Sequence, residues 1–265
     1  MQKIQVVLFI TGILFSAGSC NFPAAADDSA APDIEQGIIP LQPSIAADYD
    51  PGEVPESDLI QPEDLVYKGF FRLPGPSGGS DWDYSGHGLT YFPAGDPAGE
   101  LDGYRGSLFG FGHDHQLFVT EINIPAPVIT ANLEEAQTAT TLQPFADLTG
   151  GIFDAEEMII PRAGLEYLSE PAPRLHFTFG QHIQDFEASH GWAGLDLDHP
   201  DAQGPWVFDG YTNYVTNDYL FEIPPDWSRA IAPGPLLASG RAREGFWSGR
   251  GPGLFAYQPG DVNNP

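Results

Sequence analysis

The sequence predicts an all-β fold built from repeated four-stranded units, and three observations lead to that prediction. Short aromatic and β-branched runs alternate with Gly/Pro turns from residue 65 onward, which is typical of antiparallel β-structure. Glycine and proline, with 31 and 26 residues, are too abundant for a helical bundle. Two aromatic motifs also recur at a spacing of roughly 70 residues, which is typical of a repeat architecture.

The repeat consists of three motifs that follow one another in the same order. Their copies lie at residues 88–91 and 164–167 for Gly-Leu-x-Tyr, at 109–112 and 177–180 for Phe-x-Phe-Gly, and at 121–125 and 196–200 for an acidic run that ends in proline. We assign the motifs to the first, second and third strands of a unit, with an outer strand completing it. Looser third copies are residues 253–257 for the first motif and 222–224 for the last.

These units predict a β-propeller-like domain over residues 63–265. About two and a half units fit into that length, whereas a propeller ring needs about 4–8 blades. We therefore expect an incomplete ring and a domain that is truncated at its C-terminal end. A β-sandwich of similar hairpins is the alternative. Residues 66–73 are expected to form a further outer strand, and Asn132 to cap a brief helical turn.

Residues 1–19 form a predicted export signal. Lys3 precedes an apolar run, and the small residues 16–19 lead directly to Cys20, the one cysteine of the chain. This arrangement resembles the lipobox of bacterial lipoproteins. The resemblance implies that Cys20 is lipidated and becomes the first residue of the mature chain. Because Asn21 follows, it also implies the outer membrane as destination where the cell has one; an ordinary secretory signal with an incidental cysteine is the alternative.

Charge and composition narrow the classes of partner. The chain has 10 Lys and Arg residues against 37 Asp and Glu residues, a net charge of −27. This excludes a sequence-independent nucleic-acid binder, which needs a basic surface. Residues 20–62 are rich in Ala, Pro, Asp and Glu without periodicity, and they predict a disordered tether, with an ordered extension as the alternative. We expect an extracytoplasmic protein that contacts the membrane through its lipid.

Two segments carry candidate metal ligands. The candidate ligands are Asp83, His113, Asp114, His115, Asp196 and Asp198. The His-Asp-His segment offers two imidazoles, which suit a transition metal, and Asp83 could add a ligand from a neighbouring turn. The alternating carboxylates of the later segment suit Ca²⁺, which prefers oxygen ligands. The alternative for each segment is a polar turn that is held by its own hydrogen bonds.

A third candidate site is a local anion site. His87 and Arg250 occupy matching positions before predicted first strands, and Arg162 lies just before another. In a propeller these three residues would meet at one mouth of the central channel and attract an anion. Pairing of each arginine with a nearby carboxylate is the alternative. Tryptophans and tyrosines in the later loops could stack sugars or could belong to the core.

The sequence therefore predicts a cell-surface lipoprotein with a binding or scaffolding module. A small anion, a carbohydrate or a protein is the expected ligand. The alternative is a metal-dependent propeller hydrolase that uses Ca²⁺ and acts on phosphoester, lactone or glycoside substrates. A binding module is favoured because no paired acid/base or nucleophile set stands out, and the chain contains neither a Walker loop nor a His-Glu-x-x-His motif.

Overall fold

The computed structural model describes residues 61–153, 162–180, 188–207, 219–231, 233–240 and 253–259. The chain divides into two compact units, residues 1–68 and 69–265. In the described part of the first unit, a 3₁₀ turn at Pro62–Asp64 is the regular element. The predicted signal, Cys20 and nearly all of the predicted tether lie outside the described residues. Among the helices that are described, none has the length and apolarity needed to cross a membrane.

In its described residues the second unit contains three antiparallel sheets, and each is a meander in which a strand pairs with the next one along the chain. Sheet 1 consists of β1 (Leu89–Phe92), β2 (Gly103–Phe111), β3 (Val119–Pro125) and β4 (Thr141–Ala146). Sheet 2 consists of β5 (Arg162–Leu168), β6 (Arg174–Gly180), β7 (His190–Ala193) and β8 (Gln203–Trp206). Sheet 3 consists of β9 (Tyr219–Glu222), β10 (Leu237–Gly240) and β11 (Leu254–Tyr257). Two short helices, α1 (Gly99–Asp102) and α2 (Pro225–Ile231), precede β2 and β10. The predicted all-β class is confirmed.

The predicted order of motifs is confirmed for the first two strands of sheets 1 and 2. Gly-Leu-x-Tyr leads into β1 and lies within β5, and Phe-x-Phe-Gly lies on β2 and β6. The third strand follows the prediction in sheet 1 alone. In sheet 2 that strand is β7, and residues 196–200 form the turn after it. In sheet 3 residues 254–257 form the third strand and residues 222–224 end the first one, so both looser copies were assigned wrongly.

Two smaller elements are less regular than expected. Residues 69–73 pair with the connection between β3 and β4, through isolated bridges of Phe70 with Val128 and of Arg72 with Thr138, rather than as a continuous strand. Phe71, between these bridges, is buried in a small apolar cluster. The expected helical turn is a single 3₁₀ turn at Leu133–Glu135, and the side chain of Asn132 caps it as predicted.

Sheets 1 and 2 pack face to face through an apolar core. Successive side chains of a strand point to opposite faces, so the two phenylalanines of each Phe-x-Phe motif share a face. Phe109 and Phe111 of β2 therefore meet Phe177 and Phe179 of β6 in one buried cluster. The rings of Phe111 and Phe179 meet edge to face at 5.4 Å. The repeated motif thus forms the interface between the two sheets.

Sheet 3 packs against the opposite face of sheet 2. Leu168 of β5 forms a small buried cluster with Leu220 of β9 and Leu237 of β10. A polar contact crosses the same interface, because the Nε2 atom of His190 lies 2.9 Å from the Ser239 hydroxyl oxygen. Sheet 2 therefore has a neighbouring sheet on each face.

The first strands of the three sheets, β1, β5 and β9, lie side by side. Two glycines allow this close approach. A Cβ atom at Gly88 would lie 2.5 Å from the Cβ of Leu165, and one at Gly164 would lie 2.8 Å from the Cβ of Leu220. The same contact of glycine with leucine therefore joins β1 to β5 and β5 to β9, and it brings the side chains of all three first strands together.

Candidate functional site

A pocket of about 450 Å³ opens beside the three first strands, and we call it the first-strand pocket. Its polar and aromatic lining consists of Thr90, Tyr91, Glu166, Tyr167, Ser169 and Glu222. Each first strand contributes at least one polar group, namely Thr90 from β1, Glu166 from β5 and Glu222 from β9. The meeting of the three strands therefore creates a concave polar surface from residues that are far apart in the sequence.

Two of these side chains link one first strand to the next in the same way. The Tyr167 backbone N–H donates to the Thr90 hydroxyl oxygen at 2.9 Å. The Glu222 backbone N–H likewise donates to the Glu166 carboxyl group. The Thr90 hydroxyl also donates to a Glu166 carboxyl oxygen at 3.2 Å, so the two links are joined. The polar groups of the pocket are thus held in place before any ligand arrives.

Glu166 carries a carboxyl group that changes its charge near neutral pH. Burial is the main cause and raises its pKa from 4.5 to about 7. The hydrogen bonds from the Glu222 N–H and from Thr90 oppose this effect, whereas the negative charge of the Glu222 carboxylate adds to it. Near pH 7 the pocket therefore presents one carboxyl that is about half protonated, beside a second carboxyl group.

Two tyrosine rings border the carboxyl groups. Tyr91 is 47% exposed, and its hydroxyl group donates to the Arg105 backbone carbonyl at 2.9 Å, which fixes the ring. Tyr167 packs against Phe92 with 5.0 Å between ring centroids. Burial raises the pKa of Tyr167, so its hydroxyl stays protonated at neutral pH. The pocket thus combines fixed apolar rings with carboxyl groups that donate and accept hydrogen bonds.

The predicted His-Asp-His segment forms a compact turn between β2 and β3. One ligand atom from each of His113, Asp114 and His115 lies within 4.8 Å of the others. In the part of the chain that the structure describes, this is the one group of three such side chains that meets this spacing. We call residues 113–115 the His-Asp-His turn.

The other predicted metal ligands do not belong to that group. The Asp83 backbone N–H donates to the Asp81 carboxylate at 2.9 Å, within a neighbouring turn. The Asp198 backbone N–H donates to the Asp196 carboxylate at 3.1 Å, and His199 lies 3.4 Å from the same group. The carboxylates of Asp81 and Asp196 thus stabilise their own turns.

The predicted anion site lies only partly within the described residues. Arg162 begins β5 opposite Gly180, and His87 precedes β1 by two residues. Both residues have interaction partners. Arg250 lies outside the described residues, so the predicted convergence of the three stays a prediction.

A second group of titratable side chains is enclosed between sheets 2 and 3. His190 lies between two hydroxyl groups, with Ser189 at 2.8 Å from Nδ1 and Ser239 at 2.9 Å from Nε2. Burial lowers the pKa of His190 to about 3, with a smaller contribution from His176. The serine and histidine resemble part of a nucleophilic set, but Ser239 is completely buried and no substrate can reach it. The group therefore stabilises the interface between the sheets.

Comparisons with models of protein families, with curated proteins and with solved structures found no match. The function must therefore be argued from the residues themselves.

The sequence analysis did not identify the carboxyl groups of the first-strand pocket. Glu166 occupies the variable position of a Gly-Leu-x-Tyr motif, where the first copy has Thr90. An acidic residue at the variable position of a repeated first strand was the available signal. Glu222 could not be recognised in this way, because β9 does not match the motif. Tyr219 stands before its leucine where the motif has glycine, and Glu222 itself stands where the motif has tyrosine.

Proposed function

We propose that the chain is an extracytoplasmic, lipid-anchored binding protein that takes a carbohydrate in the first-strand pocket. The observation that carries this proposal is the combination of a half-protonated Glu166, the Glu222 carboxyl and the exposed Tyr91 ring in one pocket. Sugar hydroxyls both donate and accept hydrogen bonds, so they match a pocket with two carboxyl groups, of which Glu166 is about half protonated near pH 7. The apolar face of a sugar ring matches the tyrosine.

The negative charge of the pocket favours a neutral ligand over an anion. Two carboxyl groups and a chain of net charge −27 repel a small anion. A neutral polyhydroxyl ligand meets no such repulsion. The pocket volume of about 450 Å³ lies in the range of small-molecule sites. A mono- or disaccharide unit of a neutral glycan is therefore the proposed ligand.

The proposal includes a propeller-like arrangement of the sheets as consecutive blades. Two features support it over a β-sandwich. Sheet 2 has packing partners on both of its faces, whereas each sheet of a two-layered sandwich buries one face. The first strands are also neighbours, as the inner strands of successive blades would be. In this arrangement the first-strand pocket faces the centre, where the blades converge.

A binding experiment tests the proposed ligand class. Neutral oligosaccharides are titrated into the protein by calorimetry, and we expect saturable binding that Tyr91→Ala weakens about tenfold or more. Tyr104→Ala is the matched control, because this tyrosine is similarly exposed, at 42%, but is not part of the pocket lining. Equal binding by wild type and Tyr91→Ala, or no binding of any neutral glycan, would contradict the proposal.

The anchoring part of the proposal has its own test. Wild-type protein and Cys20→Ser are produced from the full chain, and their intact masses and their partitioning into detergent are compared. We expect the wild type to have the mass of residues 20–265 plus acyl chains and to partition into the detergent phase. The serine variant should keep its signal and carry no acyl chains. A wild-type protein without acyl mass would refute lipidation and leave the binding proposal untouched.

Glycoside hydrolysis is a second candidate, which one observation favours. Glycosidases use one carboxyl group that stays protonated near neutral pH and a second that is ionised. Glu166, with its pKa raised to about 7, could supply the protonated carboxyl, and Glu222 places a second carboxyl group in the same pocket. For a hydrolase, Glu166→Gln should remove activity on a bound oligosaccharide while binding persists. Intact oligosaccharide after long incubation with the wild type would leave binding as the function.

A further inference from the structure

We propose that the His-Asp-His turn binds a divalent transition-metal ion. The ligands are one ring nitrogen from each of His113 and His115 and one carboxylate oxygen of Asp114. None of these residues lines the first-strand pocket, so the site is separate from the proposed carbohydrate site. The proposal rests on the spacing of the ligand atoms, on the fixed turn that carries them and on the proximity of the two imidazole rings.

The spacing of the first two ligand atoms already fits a metal ion. The Nδ1 atom of His113 lies 3.2 Å from the Oδ1 atom of Asp114. Two ligand atoms that are each bound to zinc at ordinary bond lengths and separated by a tetrahedral angle lie about 3.3 Å apart. The ligand atom of His115 lies within 4.8 Å of both. Its side chain is exposed, so a small rotation brings it to the same ion.

The turn holds its shape through the backbone. The His113 N–H donates to the Asp81 carbonyl at 2.8 Å, and the His113 carbonyl accepts from the Gln116 and Leu117 N–H groups at 3.1 and 2.9 Å. The His113 ring also packs on Tyr84, with 5.3 Å between centroids. The site therefore needs little ordering when an ion binds, which favours affinity.

The two imidazole rings of the turn also lie close together. The ring centroids of His113 and His115 are 4.6 Å apart. The His115 backbone N–H donates to His113 Nδ1 at 3.1 Å, and an ion bound at that nitrogen would replace this hydrogen bond.

The ligand set selects the class of metal. Imidazole nitrogens suit Zn²⁺, Ni²⁺ and Cu²⁺, whereas Ca²⁺ prefers oxygen ligands. Three protein ligands at an accessible turn leave at least one coordination position for water. We therefore expect Zn²⁺ with an open position, in keeping with the transition metal that the sequence predicted for this segment.

The test is a titration of the full chain with Zn²⁺, monitored by competition with a chromogenic chelator. We expect one tight equivalent in the wild type and at least a tenfold weaker affinity in His115→Ala. This residue is chosen because it is exposed, so its loss should not disturb folding. Substitution by Co²⁺ supplies a second readout, since a visible d–d absorption reports coordination by the imidazoles.

His199→Ala is the matched control. His199 is also an exposed histidine beside a carboxylate, with Nδ1 3.4 Å from Asp196, but it lacks a second imidazole. We expect this variant to bind Zn²⁺ like the wild type. The proposal is overturned if the wild type binds no tight equivalent. It is also overturned if His115→Ala keeps the wild-type affinity, or if His199→Ala loses as much affinity as His115→Ala.

Discussion

The two interfaces of sheet 2 have different chemistry although the same strands form both. The face toward sheet 1 is apolar, and the rings of Phe177 and Phe179 fill it with their counterparts from β2. The face toward sheet 3 buries His176 and His190 beside a few leucines. The first interface gains its stability from the apolar area removed from water. The second depends on polar groups that are stable there only while they remain neutral.

Because of this difference, we expect the stabilities of the two interfaces to respond differently to pH. The buried cluster between sheets 1 and 2 consists of apolar side chains, and Tyr167, which packs against it, has a raised pKa and stays neutral between pH 5 and pH 8. Between sheets 2 and 3, burial lowers the pKa of His176 to about 4 and that of His190 to about 3. Shortening a buried side chain should therefore destabilise the interface between sheets 1 and 2 at every pH. Acidification should destabilise the interface between sheets 2 and 3.

The largest effect is expected from Phe177→Ala. This ring is completely buried between sheets 1 and 2, and its removal leaves a cavity. We expect the free energy of unfolding to fall by about 3–5 kcal/mol, equally at pH 5 and pH 8, as measured by urea denaturation. Phe221→Ala is the control, because this ring is 43% exposed and should cost much less. A loss that depended strongly on pH would contradict the assignment of an uncharged interface.

Acidification is expected to weaken the interface between sheets 2 and 3. The unfolded chain binds protons at its histidines below about pH 6.5, whereas the folded chain resists protonation until about pH 4 at His176. Stability is therefore lost as pH falls through this window, by about 3 kcal/mol for one such histidine. Urea denaturation between pH 7.5 and 4.5 should give a shallower loss in His176→Gln. An unchanged slope, equal to that of the exposed control His199→Gln, would show that His176 is not buried as described.

Glu166→Gln is expected to act in the opposite direction. The pKa of Glu166 is raised from 4.5 to about 7 in the folded state, so the folded chain holds a proton that the unfolded chain releases. Stability therefore falls as pH rises through this window, by at most about 3 kcal/mol. The variant should be more stable than the wild type at pH 8, and its free energy of unfolding should fall more steeply as the pH is lowered. The same denaturation series checks this, with the exposed Glu63→Gln as control, and equal profiles would refute the pKa shift.

The smallest effect is expected from Arg174→Gln. The guanidinium group lies over the Trp192 ring, 3.4 Å from its centroid, at the margin of sheet 2. Loss of this cation–π contact should cost about 0.5–1 kcal/mol in urea denaturation. Removal of the charge should also raise the pKa of His176, which Arg174 lowers, and NMR titration of that ring can measure the change. Arg229→Gln is the exposed control and should alter neither quantity.

The sequence predicted the first two strands of sheets 1 and 2 because their signal is local and repeated, but it did not predict that their phenylalanines join the two sheets. Two Phe-x-Phe motifs place two rings on one face of each strand, and these rings meet in the core. The third sheet was assigned wrongly because the pattern Gly-Leu-x-Ala-Tyr at residues 253–257 imitates the motif. A Cβ atom at Gly253 would meet nothing within 4 Å, whereas Gly88 and Gly164 each contact a leucine of the next first strand. The required glycines are therefore distinguished from the incidental one by their contact with a leucine of the neighbouring strand.

The two candidate sites also differ in whether the sequence alone reveals them. The His-Asp-His turn was predictable because its three ligands are consecutive, so a single turn brings them together. The carboxyls of Glu166 and Glu222 meet only because β5 and β9 are neighbours. No local pattern encodes that contact, and it required the three-dimensional arrangement of the sheets.

Residues 69–73 give the domain a defined response to mechanical load. A pull on the N-terminal end would enter the domain through this segment, which is held by backbone hydrogen bonds at Phe70 and Arg72 and by the buried Phe71 ring. This segment would therefore bear such a tension before the three sheets do.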